Sequence, residues 1–173
     1  MAKIGKLMLG SRRMSREIAL RVLFQVETGG DLKPSESFSL FCDNFAPRED
    51  REEALDCTDK VFREAEPFAR ELFFGVTSHK EELDKVLADA SENWRVDRMS
   101  KVDRNVLRLA LFEMLYIDDI PPKVSLNEAI DLGKDYGSED SGAFINGVLD
   151  GINRRMAQGK ISEGQGLSPE KAE

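Results

Sequence analysis

Ser100-Lys-Val-Asp-Arg-Asn-Val-Leu-Arg-Leu-Ala-Leu-Phe-Glu-Met-Leu115 is the stretch on which the fold turns. Val102, Val106, Leu109, Ala110, Met114 and Leu115 keep to one side of a 3.6-residue repeat, so the segment predicts an amphipathic helix with that side inward. Ser100 and Asp103 stand three apart at its start, where a hydroxyl accepts a free N–H of the first turn. Lys101, Arg104 and Arg108 follow at i, i+3 and i+7, which stacks three cations on another side. Such neighbours repel unless acids or an anionic partner stand beside them.

Outward from this helix the same period continues in both directions. Asp118-Asp119-Ile120-Pro121-Pro122 must leave the helix, because proline brings no N–H and biases its predecessor toward extended backbone. Ser125-x-x-Glu128 repeats the capping pattern and opens a helix through Ala129, Ile130 and Leu132 that stops at Gly137; a last helix fits Asp140 to Met156. Upstream, Ser78-x-x-Glu81 starts a run through Leu83, Val86, Leu87 and Ala90. Pro67 fits the first position of a helix carrying Phe68, Leu72, Phe73 and Val76. Shorter apolar patterns predict helices over Ser35 to Phe45 and Ser15 to Thr28. The acid-dense Arg48 to Glu66 reads as a helix through Leu55, Val61 and Phe62 or as a solvated connection. Alternating β-branched runs are nearly absent, so the fold class is all-α.

The 173 residues, 40% hydrophobic, suffice for a real core without metal or disulfide. Cys42 and Cys57 have no metal-ligand spacing, and two scattered cysteines fit a reducing cytoplasm. Leu7-Met8-Leu9 is too short for a signal peptide, and no stretch approaches the ~20 apolar residues of a membrane span. A soluble cytoplasmic chain is expected. Net charge is −8, which by itself argues against nucleic acid, yet Met1 to Arg21 carries six bases against one acid. The rest of the chain holds 19 bases and 32 acids, so positive charge is concentrated at one end.

Catalytic signatures are lacking. His79 is the single histidine, at a predicted helix start, and Gly142-x-x-x-x-Gly147 is followed by Val148 where a phosphate loop needs lysine. Glu52-Glu53 and Glu81-Glu82 are adjacent and point apart on a helix, unlike converging acid and base carboxylates. Gly147 and Gly151, four apart, suggest close packing against another backbone. No enzymatic activity, cofactor or metal is expected.

The runs Ser100 to Met114, Asp119-Ile-Pro-Pro-Lys-Val-Ser-Leu-Asn-Glu-Ala-Ile-Asp-Leu-Gly-Lys-Asp-Tyr-Gly137 and Phe144-Ile-Asn-Gly-Val-Leu-Asp150 together resemble the signature of the NusB family. Arg12-Arg13-Met-Ser-Arg16-Glu-Ile-Ala-Leu-Arg-Val-Leu-Phe24 resembles it less specifically. The resemblance implies about seven helices in two packed lobes and a role in transcription antitermination on ribosomal RNA operons. It further implies boxA leader RNA as ligand, the ribosomal protein NusE as partner, and NusA, NusG and RNA polymerase in the larger complex.

By the same resemblance, Arg12, Arg13, Arg16, Phe24, Arg108, Asp140 and Phe144 correspond to RNA-binding positions, and Asp97 and Asp103 to positions near RNA or partner. Phe24 stands where the family commonly has tyrosine, and Ala143 where a basic residue often precedes the phenylalanine. The expected layout is a flexible basic arm over 1–11, a helical RNA-binding domain over 12–158 and a disordered tail over 159–173. The competing class is a helical interaction scaffold, or a homodimer that hides the same face and binds no RNA.

Overall fold

The computed structural model describes residues 2–29, 32–45, 57–90 and 95–161. They form seven α-helices and one 3-10 turn, with no strand among the described residues, in agreement with the all-α expectation. The chain divides into two compact units, the first through Thr77 and the second from Ser78.

In the first unit α1 spans Ala2–Thr28, α2 Pro34–Phe45 and α3 Cys57–Ser78. Ile18, Ala19, Leu20, Val22 and Leu23 are buried on α1. The helix extends back well before Ser15, through residues expected to form a flexible arm. Once a packed segment nucleates a helix, each further turn adds hydrogen bonds without a new nucleation cost, and no proline interrupts residues 2–14. Ser15 Oγ lies 2.8 Å from the Ala65 carbonyl oxygen and ties α1 to α3. Phe38 of α2 is fully buried, its ring 5.4 Å from that of Phe73 and 5.8 Å from that of Phe74.

Pro67 is inside α3 instead of opening a helix. An interior proline costs about 3 kcal/mol, which burial of Ala65, Ala69, Leu72, Phe73 and Val76 along the same helix offsets. The carboxyl half of the acid-dense stretch is therefore helical; its residues 48–56 lie outside the described residues, as do 162–173 of the expected tail.

Burial pushes the Cys42 thiol up to about 11. The thiolate is the reactive form, so roughly one Cys42 in a thousand is ionised at pH 8. Peptide-resolved mass spectrometry is expected to find Cys42 unmodified by iodoacetamide at that pH in the folded chain and modified in urea.

The second unit holds α4 (Lys80–Ala90), the 3-10 turn Val96–Arg98, α5 (Lys101–Tyr116), α6 (Pro122–Tyr136) and α7 (Ser141–Ala157). Ser78 ends α3 and does not cap α4. The Ser100 cap is present, its hydroxyl accepting from Asp103 N at 3.0 Å. α5 is the centre of this unit and is buried on every side from Asn105 to Leu115. A single inward stripe was expected; Leu107, Leu111 and Phe112 are buried as well, and Arg108 and Glu113 are accommodated by pairing.

Ser125 does not cap α6, which starts at Pro122 with Pro121 as N-cap. Its hydroxyl instead donates to Glu113 Oε2 at 2.8 Å, so a residue of capping type supplies a buried carboxylate with a partner. The His79 ring packs 4.5 Å from that of Tyr116.

α6 and α7 pack closely at Gly133, where an added Cβ would overlap Ile145 Cδ1. Gly147 and Gly151, expected to serve that purpose, have open space where a Cβ would be. Arg155 Nη1 lies 2.6 Å from the Asp89 carbonyl oxygen, a cation at the negative end of α4. Among the described residues no helix is long and apolar enough to cross a membrane, and no cluster of side chains suits a metal ion.

Candidate nucleic-acid interface

In the first unit the expected contacts all ride on α1, and their surroundings differ. Arg13 Nε bonds Glu17 Oε1 at 2.9 Å and stays half-buried. Arg12 places its guanidinium 4.1 Å from the centre of the Phe68 ring, a cation–π contact. Arg16 is 4% exposed and lies 6.0 Å from the same ring. Phe24 is 38% exposed, and with Arg13 and Glu17 it falls on one helical face at i, i+4 and i+11. The structure leaves its ring partly accessible.

In the second unit Asp103, Asp140 and Phe144 come together on one groove of about 830 Å³. Its walls are the start of α5 and the face of α7, and Arg98, Gly147, Gly151 and Arg154 also line it. Asp140 is the N-cap of α7 but makes no side-chain cap bond; Ser141 Oγ accepts from Ser138 N at 2.8 Å. The first turn of α7 thus brings the positive end of a helix to the groove, where negative charge is favoured. Phe144 is half-buried there, and Asp103 is 9% exposed.

Two expected contacts lie elsewhere. Arg108 is 4% exposed, its Nε 2.7 Å and Nη2 2.8 Å from the two carboxylate oxygens of Asp84, and Nη1 3.0 Å from Asn105 Oδ1. The guanidinium is engaged inside the unit. Asp97 is exposed and takes a two-pronged bond from Arg95 at 3.0 and 2.8 Å, which holds its carboxyl below the usual range. Of the three cations expected along one side of α5, only Lys101 is exposed; Arg104 Nη1 bonds the Val96 carbonyl oxygen at 3.1 Å.

Sequence reasoning missed Arg98, Arg154 and the glycine face of the groove. Part of the signal was present: Phe144, Gly147, Gly151 and Arg154 are spaced i, i+3, i+7 and i+10, one face of α7. A face with two glycines reads as packing until the open space beside them is seen.

The chain is similar in sequence and in fold to known proteins. A transcription antitermination protein NusB of Desulfosudis oleivorans is 45% identical over 148 residues, 86% of this chain and 88% of that protein. The solved T. maritima NusB superimposes with a TM-score of 0.69 at 34% identity, covering 83% of this chain and 90% of that one. In a solved complex of the antitermination factors NusB and NusE with double-stranded RNA, a chain 27% identical matches with a TM-score of 0.66 over 83% of this chain and 96% of its own length. The NusB family model matches residues 13–154. By sequence and by fold, the chain belongs to the NusB family, the transcription antitermination proteins.

Proposed function

We propose that the chain is a non-catalytic cytoplasmic factor that binds single-stranded boxA leader RNA of ribosomal RNA operons together with NusE, and joins an elongating RNA polymerase with NusA and NusG. One observation carries the reading: aromatic rings are left accessible on faces that also carry arginines, Phe24 with Arg13 on one face of α1 and Phe144 with Arg98 and Arg154 in the groove. Unpaired bases stack on rings while cations follow the phosphates. The solved complex of a relative with NusE and double-stranded RNA supports RNA as the class of ligand and NusE as partner.

Within this reading Arg12, Arg13, Phe24, Asp140 and Phe144 meet the RNA. Arg16 and Arg108 are both buried; Arg16 lies within α1, which carries Arg12, Arg13 and Phe24, and Arg108 ties α5 to α4 through Asp84. Asp97 and Asp103 flank the RNA and partner surface.

The test is titration of a short fluorescent boxA RNA and a scrambled control at several salt concentrations, with and without NusE. Selective binding strengthened by NusE is expected, and Arg13→Gln should lower the slope of log affinity against log salt by about 0.7, one phosphate contact on a single strand. Failure of both RNAs to bind at low salt with NusE present would overturn the reading. In that case a concentration-dependent doubling of mass, unaffected by RNA, would identify a homodimeric scaffold.

A further inference from the structure

In the first unit the arginine cluster of α1 shares one aromatic ring of α3. Ser15 fixes the register of the two helices: its Oγ lies 2.8 Å from the Ala65 carbonyl oxygen and 2.8 Å from that of Ser11, one turn back on its own helix. Phe68 follows Ala65 by about one turn on α3, and Arg12 and Arg16 stand one turn apart on α1. The ring of Phe68 therefore meets both guanidiniums, with Arg12 Cζ 4.1 Å and Arg16 Cζ 6.0 Å from its centre. Arg12 and Phe68 are half-buried. Arg12, Arg13 and Arg16 carry like charges within five residues, and their neighbours answer them differently. Glu17 pairs with Arg13 and offsets its charge. A ring attracts a cation through its quadrupole and carries no net charge, so Arg12 is held without being neutralised.

We propose that Phe68 is a positioning residue for RNA binding: its ring holds the Arg12 guanidinium poised for a phosphate. The assignment rests on the RNA-binding reading above and adds to it a residue that acts through Arg12. A stacked guanidinium uses its face, while its N–H donors radiate in its plane, so one group can hold a ring and a phosphate at once. A loose arginine has its full rotamer freedom to lose when it meets a phosphate. A stacked one has lost part of that freedom beforehand, and binding is stronger by the difference. A carboxylate in the place of Phe68 would also fix the side chain, but it would compete with the phosphate for the same N–H groups.

The experiment titrates boxA RNA and a scrambled control into the full chain with NusE, with Phe68 replaced in turn by phenylalanines bearing one, two and three ring fluorines. Fluorine drains the negative face of the ring and changes its size little, so packing is kept while the hold on a cation weakens. Affinity for boxA is expected to fall step by step along the series, to about fivefold below the unsubstituted chain at its end, with Tm unchanged. Arg12→Gln should lower the salt slope by about 0.7 and make the series flat, because the ring then has no Arg12 to position. A ring that merely fills space predicts no dependence on fluorine. That result, or a dependence that survives Arg12→Gln, would overturn the assignment while boxA binding stood. An affinity that rises with fluorine would overturn it as well, by showing that the ring withholds Arg12 from the RNA. Failure of the unsubstituted chain to prefer boxA over the scrambled RNA would instead overturn the reading beneath it, and the assignment with it.

Discussion

Asp84→Ala is expected to destabilise the second unit by about 3–5 kcal/mol, more than Arg108→Met does, although the Arg108–Asp84 pair is lost in both and Arg108→Met also loses the bond to Asn105. The asymmetry follows from burial. The Arg108 side chain is 5% exposed and that of Asp84 29%, so removing the acid strands a cation in the interior. Removing the arginine leaves a carboxylate that water reaches, at a cost of about 1–2 kcal/mol. The double variant Asp84→Leu/Arg108→Met should regain most of the loss, because a stranded charge costs more than an absent pair. Urea unfolding of the three variants checks the order; a costlier Arg108→Met would refute it. Since the guanidinium spans Asp84 and Asn105, Arg108→Met should also leave the salt slope of RNA binding unchanged. A slope reduced by about 0.7 would mean that Arg108 leaves Asp84 to meet a phosphate.

The Arg108 result bears on what sequence can disclose. Periodicity located α2, α5 and α7 closely because each alternates apolar and polar residues at the helical step and is bounded by caps, prolines or glycines. It misjudged α5 in one respect. A helix packed on all sides by α4, α6 and α7 still carries Arg108 and Glu113, and those residues read as solvated until Asp84 and Ser125 are found against them. Both partners are distant in sequence, and no local pattern encodes a pairing across 24 or 12 positions. Pro67 and Ser125 misled for a related reason: proline and serine favour helix starts, yet each is overridden where tertiary burial extends the helix past them. At the site, the family resemblance supplied Asp103, Asp140 and Phe144, which the fold gathers. The open face of Gly147 and Gly151 is a property of what is missing around them, and sequence does not record it.

Glycine substitutions make that distinction measurable, because two glycines of similar appearance should respond with opposite sign. Gly137 ends α6, its N–H bonding the Gly133 carbonyl oxygen at 2.9 Å. A Cβ there would lie 2.7 Å from that oxygen and would overlap Ser141 Oγ. Backbone cannot yield as a side-chain tip does, so Gly137→Ala is expected to cost about 2–3 kcal/mol. Gly147→Ala meets open space in mid-helix and should stabilise by about 0.5–1 kcal/mol. Differential scanning calorimetry of the two variants reads the signs directly, and a neutral Gly137→Ala would show that the α6–α7 turn is looser than the geometry indicates. The functional consequence also differs. Gly137 fixes the turn that holds Ser138 on Ser141 and sets Asp140 and Phe144 at the mouth of the groove, so its substitution should lower RNA affinity together with Tm. Gly147→Ala should raise Tm without raising affinity, since what it adds projects into the space assigned to the ligand.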